Sequence, residues 1–179
     1  MRPVTEPAIR TLYDEGAIAS RNRAMAAEIA AADARDLLAV AVLKGSFMFA
    51  ADLLRALHGA GLAPQVEFVH LSSYGAGKES SGTVRVVRDI ESDVAGRDVL
   101  LIDDILESGR TLAFARDLLL GRGARRVLVA VMLEKPGKRA VPMDADFVGF
   151  TCPDLFVVGY GMDAAHRYRE LPFIGVVEG

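Results

Sequence analysis

Val99 to Thr111 reads VLLIDDILESGRT: an apolar run that delivers the carboxylates Asp103 and Asp104, then Glu107, then a Ser-Gly-Arg-Thr turn. Val99 to Ile102 has the composition of a strand, and Leu112, Ala115, Leu118 and Leu119 beyond the turn recur at helical spacing, so the stretch predicts strand, turn, helix. A helix opened by such a turn offers unpaired backbone N–H groups and the positive end of its dipole to an anion. Ser108 and Thr111 add hydroxyl donors, and Gly109 lets the backbone come close. Asp103 and Asp104, just before that cradle, suit the vicinal hydroxyls of a sugar, so a phosphorylated ribose would satisfy both halves. A plainer reading makes Ser108 a helix cap and leaves the acids solvated. A third reading, the metal-binding aspartates of a prenyl-diphosphate enzyme, needs the acids on a helix, whereas here a strand precedes them.

The same grammar recurs upstream. Leu37 to Leu43 (LLAVAVL) is a short continuous apolar run, as expected of a strand covered on both faces. Lys44-Gly45-Ser46 ends it, and Phe47 to Leu57 returns to helical spacing, with Phe47, Ala50, Ala51 and Leu54 on the apolar side and Ser46 as N-cap. Ala19 to Ala32, with Met25 and Ile29, predicts an earlier helix. Val127 to Leu133, Val66 to Leu71 and Phe156 to Val158 predict further strands, and Gly121 and Gly123 stop the helix before Val127. Alternating strands and helices predict an α/β fold, a parallel twisted sheet flanked by helices, with ligands gathered beyond the carboxyl ends of the strands. The 179 residues carry no repeat or linker and are read as a single domain, 1–179.

Composition excludes several classes. No apolar run approaches the roughly 20 residues of a membrane span, and Met1 to Ala17, with charges at Arg2, Glu6, Arg10, Asp14 and Glu15, lacks the apolar segment of a secretory signal. The single cysteine, Cys152, has no intrachain partner, which suits a reducing compartment, and the cytoplasm is the expected location. A net charge of −3 gives no global attraction to nucleic acid. Arg122, Arg125 and Arg126 are read as a solvated helix-to-strand turn.

Val99 to Thr111 resembles the phosphoribosyl pyrophosphate signature of the type I phosphoribosyltransferases, in particular their hypoxanthine-guanine branch. Leu43 to Leu54, Ser73-Tyr74 and Phe147 to Arg169 resemble that branch as well, so the likeness runs roughly from Leu38 to Val177. It implies the type I fold with a small hood over the active site, and transfer of a phosphoribosyl group from phosphoribosyl pyrophosphate to hypoxanthine or guanine with Mg2+ as cofactor. By the same resemblance, Asp103 and Asp104 bind ribose, and Glu107, Ser108, Gly109, Arg110 and Thr111 hold the 5-phosphate, with Glu107 as catalytic acid/base. Lys44, Gly45 and Arg169 take the pyrophosphate, and the Leu43-Lys44 peptide is one the family can hold in the cis form. Ser73 and Tyr74 belong to a lid spanning Ser72 to Thr83. Lys135, Phe156, Val157 and Asp163 bind the purine, and Asp163, with Asp103 and Asp104, stands near the metal. A donor-only ammonium at Lys135 pairs with a 6-oxo group and opposes the 6-amino group of adenine.

The family's acidic signature is Glu-Asp followed by Asp, whereas this chain has Asp103-Asp104 and then Glu107. Glu107 therefore reaches one methylene further, and Asp103 falls short of the usual glutamate. His166 receives no catalytic role. A homodimer or homotetramer is the implied assembly. The rival readings are a related enzyme preferring xanthine, an RNA-binding regulator of the same fold using the arginine group, and a sensing domain that has lost catalysis.

Overall fold

A computed structural model describes residues 8–74 and 83–178. In chain order the elements are β1 (Ile9–Tyr13), α1 (Glu15–Ala31), β2 (Leu38–Leu43), α2 (Phe47–Gly59), β3 (Gln65–Tyr74), β4 (Thr83–Arg88), β5 (Asp98–Leu106), α3 (Arg110–Gly121), β6 (Arg126–Glu134), β7 (Phe147–Thr151), β8 (Val157–Val158) and β9 (Ile174–Val177). Six strands form one sheet in the order β4-β3-β2-β5-β6-β7, parallel throughout except for the antiparallel edge strand β4. A second, antiparallel sheet, β1-β9-β8, is the hood. Stacking of Tyr13 on Phe150, with ring centroids 4.1 Å apart, joins hood to main sheet.

Continuous apolar runs become central strands because both faces are covered. Leu38, Val40 and Val42 pack toward α3 with Val99, Leu101, Leu112, Ala115 and Leu119. The alternate residues Ala39 and Ala41 face α1 and α2 beside Met25, Ile29, Phe49 and Leu53. Each fully buried Leu or Val contributes about 1.5–3 kcal/mol. Among the described residues no helix is long and apolar enough to cross a membrane.

Local details differ from the sequence reading. The first helix starts at Glu15 rather than near Ala19, because Asp14 caps it by accepting a hydrogen bond from Ala17 N at 2.8 Å. Ser46 sits at the N-cap position of α2 but makes no cap bond; its hydroxyl donates to Val42 O at 2.6 Å. The buried face of α2 is Phe49, Ala50, Leu53 and Leu57, and Phe47 is partly exposed. Strand β5 continues past Ile102 to Leu106, since its ladder with β6 runs on from Asp103↔Val131 to Leu106↔Glu134.

The basic group does sit at an exposed helix-to-strand turn, between α3 and β6, but its guanidinium groups are paired rather than simply solvated. Asp98, at the start of β5, is fully buried and takes the Arg35 N–H at 2.8 Å, Arg126 at 2.9 Å and Arg125 on one carboxylate oxygen, while Arg122 pairs with Asp89 at 2.5 Å. Burial opposes ionisation of Asp98, but the Arg35 amide and the two guanidinium groups outweigh it and hold its pKa below the usual carboxylate value. A depressed pKa means that this contribution is complete above the ordinary aspartate range and drains away as pH falls through the lowered folded value. Asp98→Asn should cost about 3 kcal/mol and flatten the acid limb of a melting-temperature-versus-pH curve; an unchanged limb would show the cluster to be energetically idle.

Candidate active site

The register of the main sheet brings three strand ends level. Leu43 pairs with His70, Ile102 of β5 lies opposite Ala41 of β2, and Leu106 lies opposite Glu134. The loops leaving these strands therefore meet at one rim: Lys44-Gly45 after β2, Glu107 to Gly109 after β5, and Lys135 after β6. A cavity of about 270 Å³ at this rim is lined by Gly45, Asp103, Asp104, Glu107, Ser108, Gly109 and Thr111, among others.

Gly109 adopts φ +80°, outside the range that suits side chains, and a Cβ there would stand 2.9 Å from Met143 Cβ. That conformation turns the chain from β5 into α3, which starts at Arg110 with no side-chain cap. Ser108, Gly109 and Thr111 line the cavity where α3 begins, so an anion there would meet the positive end of the helix.

Asp103 and Asp104 lie inside the end of β5. Asp103 is nearly covered, and its carboxylate accepts the Asp104 N–H at 2.9 Å; Asp104 in turn accepts the Ile105 N–H at 2.8 Å. Burial, reinforced by the neighbouring Asp104 charge, pushes the Asp103 pKa well above the usual aspartate value. Burial also raises Asp104, opposed by its hydrogen bonds and by the positive charge of Arg169. A carboxylate pair so starved of compensating charge favours protons, hydroxyl donors or a cation.

Lys44 follows a cis Leu43-Lys44 peptide. A Cβ on Gly45 would lie 1.8 Å from Asp104 Oδ2, and one on Gly161 would lie 2.1 Å from Gly45 O. The hood thus rests directly on the loop after β2. Within the hood segment, Arg169 donates to Gly161 O at 2.6 Å and pairs with Asp163 at 2.8 Å, bracing the turn that seats on Gly45. Both Asp163 oxygens are engaged, the second by the His166 N–H at 2.7 Å.

Lys135 is 7% exposed, and its ammonium stands 3.8 Å from the Glu107 carboxylate, so the lysine distant in sequence lies beside the acid turn rather than across the molecule. Phe156, one residue before β8, is 62% exposed with its ring free to stack, and Val157 is buried; neither lines the acid cavity. Ser73 and Tyr74 end β3, paired with Val84 and Thr83, and the remainder of the expected lid, 75–82, lies outside the described residues.

The sequence reading overlooked Gly161, whose tight seat on Gly45 carries no sequence signal, and Arg139, most of whose bonds go to main-chain carbonyls. A larger groove of about 780 Å³ lies between α1 and α2 beside Tyr160. It shares no lining residue with the acid cavity, and the strand-end chemistry lies in the smaller one.

Residues 8–165 match the family described as phosphoribosyl transferase domain. The chain is 43% identical over 142 residues to hypoxanthine phosphoribosyltransferase of Escherichia coli, covering 79% of this chain and 78% of that protein. It is 42% identical over 170 residues to the bifunctional protein TilS/HprT of Listeria innocua, covering 94% of this chain and 26% of that longer protein, so it spans about a quarter of the bifunctional relative. A crystal structure of a hypoxanthine phosphoribosyltransferase from Staphylococcus aureus superposes with a TM-score of 0.89 at 36% identity, covering 94% of this chain and 91% of the other.

Proposed function

The chain belongs to the phosphoribosyltransferase family, in its hypoxanthine-guanine branch, and from that premise we propose that it transfers the 5-phosphoribosyl group of phosphoribosyl pyrophosphate to hypoxanthine or guanine, yielding inosinate or guanylate and pyrophosphate. The observation that carries this reading is the shared rim: Asp103, Asp104, Glu107 and the Ser108 to Thr111 turn line one cavity, with the Lys135 ammonium 3.8 Å from Glu107.

In this reaction the purine N9 displaces pyrophosphate at the anomeric carbon, and positive charge builds on the sugar. The turn from Glu107 to Thr111, with Arg110 at the first helical position, grips the 5-phosphate, so the ribose hydroxyls fall to Asp103 and Asp104. Lys44 and Arg169, with the Gly45 backbone, take the departing pyrophosphate. Glu107 accepts or returns the purine proton at N7, Lys135 reads the 6-oxo group, and the exposed Phe156 ring stacks on the base with Val157 beneath it. Holding these groups in line supplies much of the acceleration. Ser73 and Tyr74 begin the lid that excludes water.

The donor set fits magnesium. Among the described residues no three acidic, histidine or cysteine side chains form a metal cage, and a hard cation that keeps its waters and borrows oxygens from a diphosphate needs only one or two carboxylates. Of Asp163, Asp103 and Asp104, one or two would supply those carboxylates, and a cation bound there would offset the charge of the leaving group. Location in the cytoplasm and self-association as a dimer or tetramer belong to the same proposal, the latter read by sedimentation. The regulator reading is weakened by the ion pairs that occupy Arg122, Arg125 and Arg126.

The test is nucleotide formation from phosphoribosyl pyrophosphate with hypoxanthine, guanine, xanthine, adenine and uracil in turn. Turnover with the 6-oxo purines and little with adenine is expected, whereas absence of turnover with every purine ends the enzyme reading. Lys135→Ala should lower the hypoxanthine-over-adenine ratio of kcat/KM by about 10- to 100-fold, the scale of one charge-assisted hydrogen bond; an unchanged ratio removes Lys135 from the base pocket.

A further inference from the structure

The ladder between β5 and β6 ends where the site begins. Its last rung in this direction, Lys135 N to Leu106 O at 3.0 Å, precedes Glu107, so sheet pairing does not fix how far Glu107 stands from Lys135. One side chain does. The Arg139 guanidinium donates from Nη1 to Leu106 O at 3.1 Å, Glu107 O at 2.9 Å and Lys135 O at 3.1 Å, and from Nε to Met143 O at 2.9 Å. Its Nη2 pairs with Glu134 Oε1 at 2.5 Å. The residues next to it continue the grip, with Ala140 N and Val141 N donating to Ser108 O at 2.9 and 3.3 Å.

On the proposed phosphoribosyl transfer to a 6-oxo purine, we infer that Arg139 is a positioning residue that sets the spacing and aim of Lys135 relative to Glu107, and so helps to determine base selectivity. It is not a catalytic residue, because its side chain does not line the acid cavity. The planar fork explains the choice of arginine. Carbonyls from the ends of two strands and from the Met143 loop lie within hydrogen-bond distance of one guanidinium, three of them sharing Nη1, and its five N–H donors in a fixed fork reach all of these groups, whereas an ammonium has three donors on one point. Glu134 neutralises the guanidinium, which leaves Lys135 as the cation facing a base. The Glu107–Lys135 pair is too long and too exposed on the Glu107 side, 45%, to hold its own geometry.

The placement separates two substrates. Loss of the fork frees Lys135 and the Glu107 main chain, while the phosphate turn keeps its Ala140 bond, its Gly109 conformation and the body of α3. Arg139→Lys and Arg139→Gln should therefore raise KM for hypoxanthine by about 10-fold, as expected for a displacement of under an ångström at a reacting group. KM for phosphoribosyl pyrophosphate should stay within about 2-fold, and the hypoxanthine-over-adenine ratio should fall. Glu134→Gln should move both in the same direction by less.

Steady-state kinetics for both substrates, with adenine as competitor and melting temperatures alongside, form the test. If Arg139→Gln does not fold, Arg139→Lys, which keeps charge and stem, carries the measurement. Unaltered hypoxanthine KM and selectivity in folded Arg139→Lys overturns the inference. So do equal rises in both KM values, which would mean that the residue only stiffens its loop. An inactive wild type fails the underlying transferase reading and takes this inference with it, whereas an active wild type with indifferent variants sinks the Arg139 role alone.

Discussion

Gly45→Ala is expected to remove nearly all turnover while the protein still folds. The added Cβ would sit 1.8 Å from Asp104 Oδ2 and 2.7 Å from its Cγ, closer than atoms approach, so one of the two must leave. The Gly45 backbone is held from the other side, because Gly161 rests on its carbonyl, with a Cβ-to-oxygen separation that would be 2.1 Å. Asp104 must therefore give way. Its carboxylate is tied to the Ile105 N–H, and its own N–H is tied to Asp103, so rotation away breaks the arrangement of both ribose-facing acids. Gly45 itself has no positive φ, which makes the damage a local collision rather than a backbone conformation alanine refuses. Overpacking of this kind costs about 1–3 kcal/mol, which a sheet buried on both faces tolerates. A displaced reacting-site carboxylate, by contrast, lowers kcat/KM by about 100-fold or more. Rates with phosphoribosyl pyrophosphate, read beside a thermal melt, check this; a folded variant working at the wild-type rate would mean that Asp104 does not contact the ribose.

The parts of this arrangement that depend on chain-local patterning were readable in advance. A run such as LLAVAVL can be buried on both faces only as a strand between helices, and VLLIDD followed by a glycine turn had to place acids at a strand end. The extension of β5 through Asp103 and Asp104 was not readable, since it comes from pairing with β6 rather than from the composition of DDIL. The hood strand IRTLY is short and half exposed, and only pairing with β9 makes it a strand. The exposed turn of the arginine group was readable but its pairing was not, because Asp98, the buried counter-charge of Arg125 and Arg126, lies 27 residues before Arg125 and looks like any polar residue at a strand start. Arg139 escaped notice for a related reason: apart from Glu134, its partners are carbonyl oxygens, which every residue possesses, so no residue type marks them.

Glu107→Gln is expected to slow chemistry by about 100-fold, the lower range for loss of a general acid/base, with little change in KM for phosphoribosyl pyrophosphate. Gln keeps the length of the side chain and its place on the turn, so the main-chain cradle for the phosphate survives; what disappears is the capacity to take or return a proton. The amide also loses the attraction across 3.8 Å to the Lys135 ammonium, so a small rise in purine KM should accompany the fall in kcat. Glu107→Asp separates the two effects. It restores the residue type usual in the family and keeps the acid, but withdraws the carboxylate by a methylene from Lys135. If acid/base work is the role of Glu107, the aspartate variant should retain most of the wild-type kcat while the glutamine variant does not. If both variants turn over like the wild type, the proton must be handled elsewhere, and the nearby acids left to do it are Asp103 and Asp104, whose burial already pushes their pKa values upward. A pH–rate profile would then show a limb that survives Glu107→Gln, whereas the assignment to Glu107 requires that limb to vanish with it.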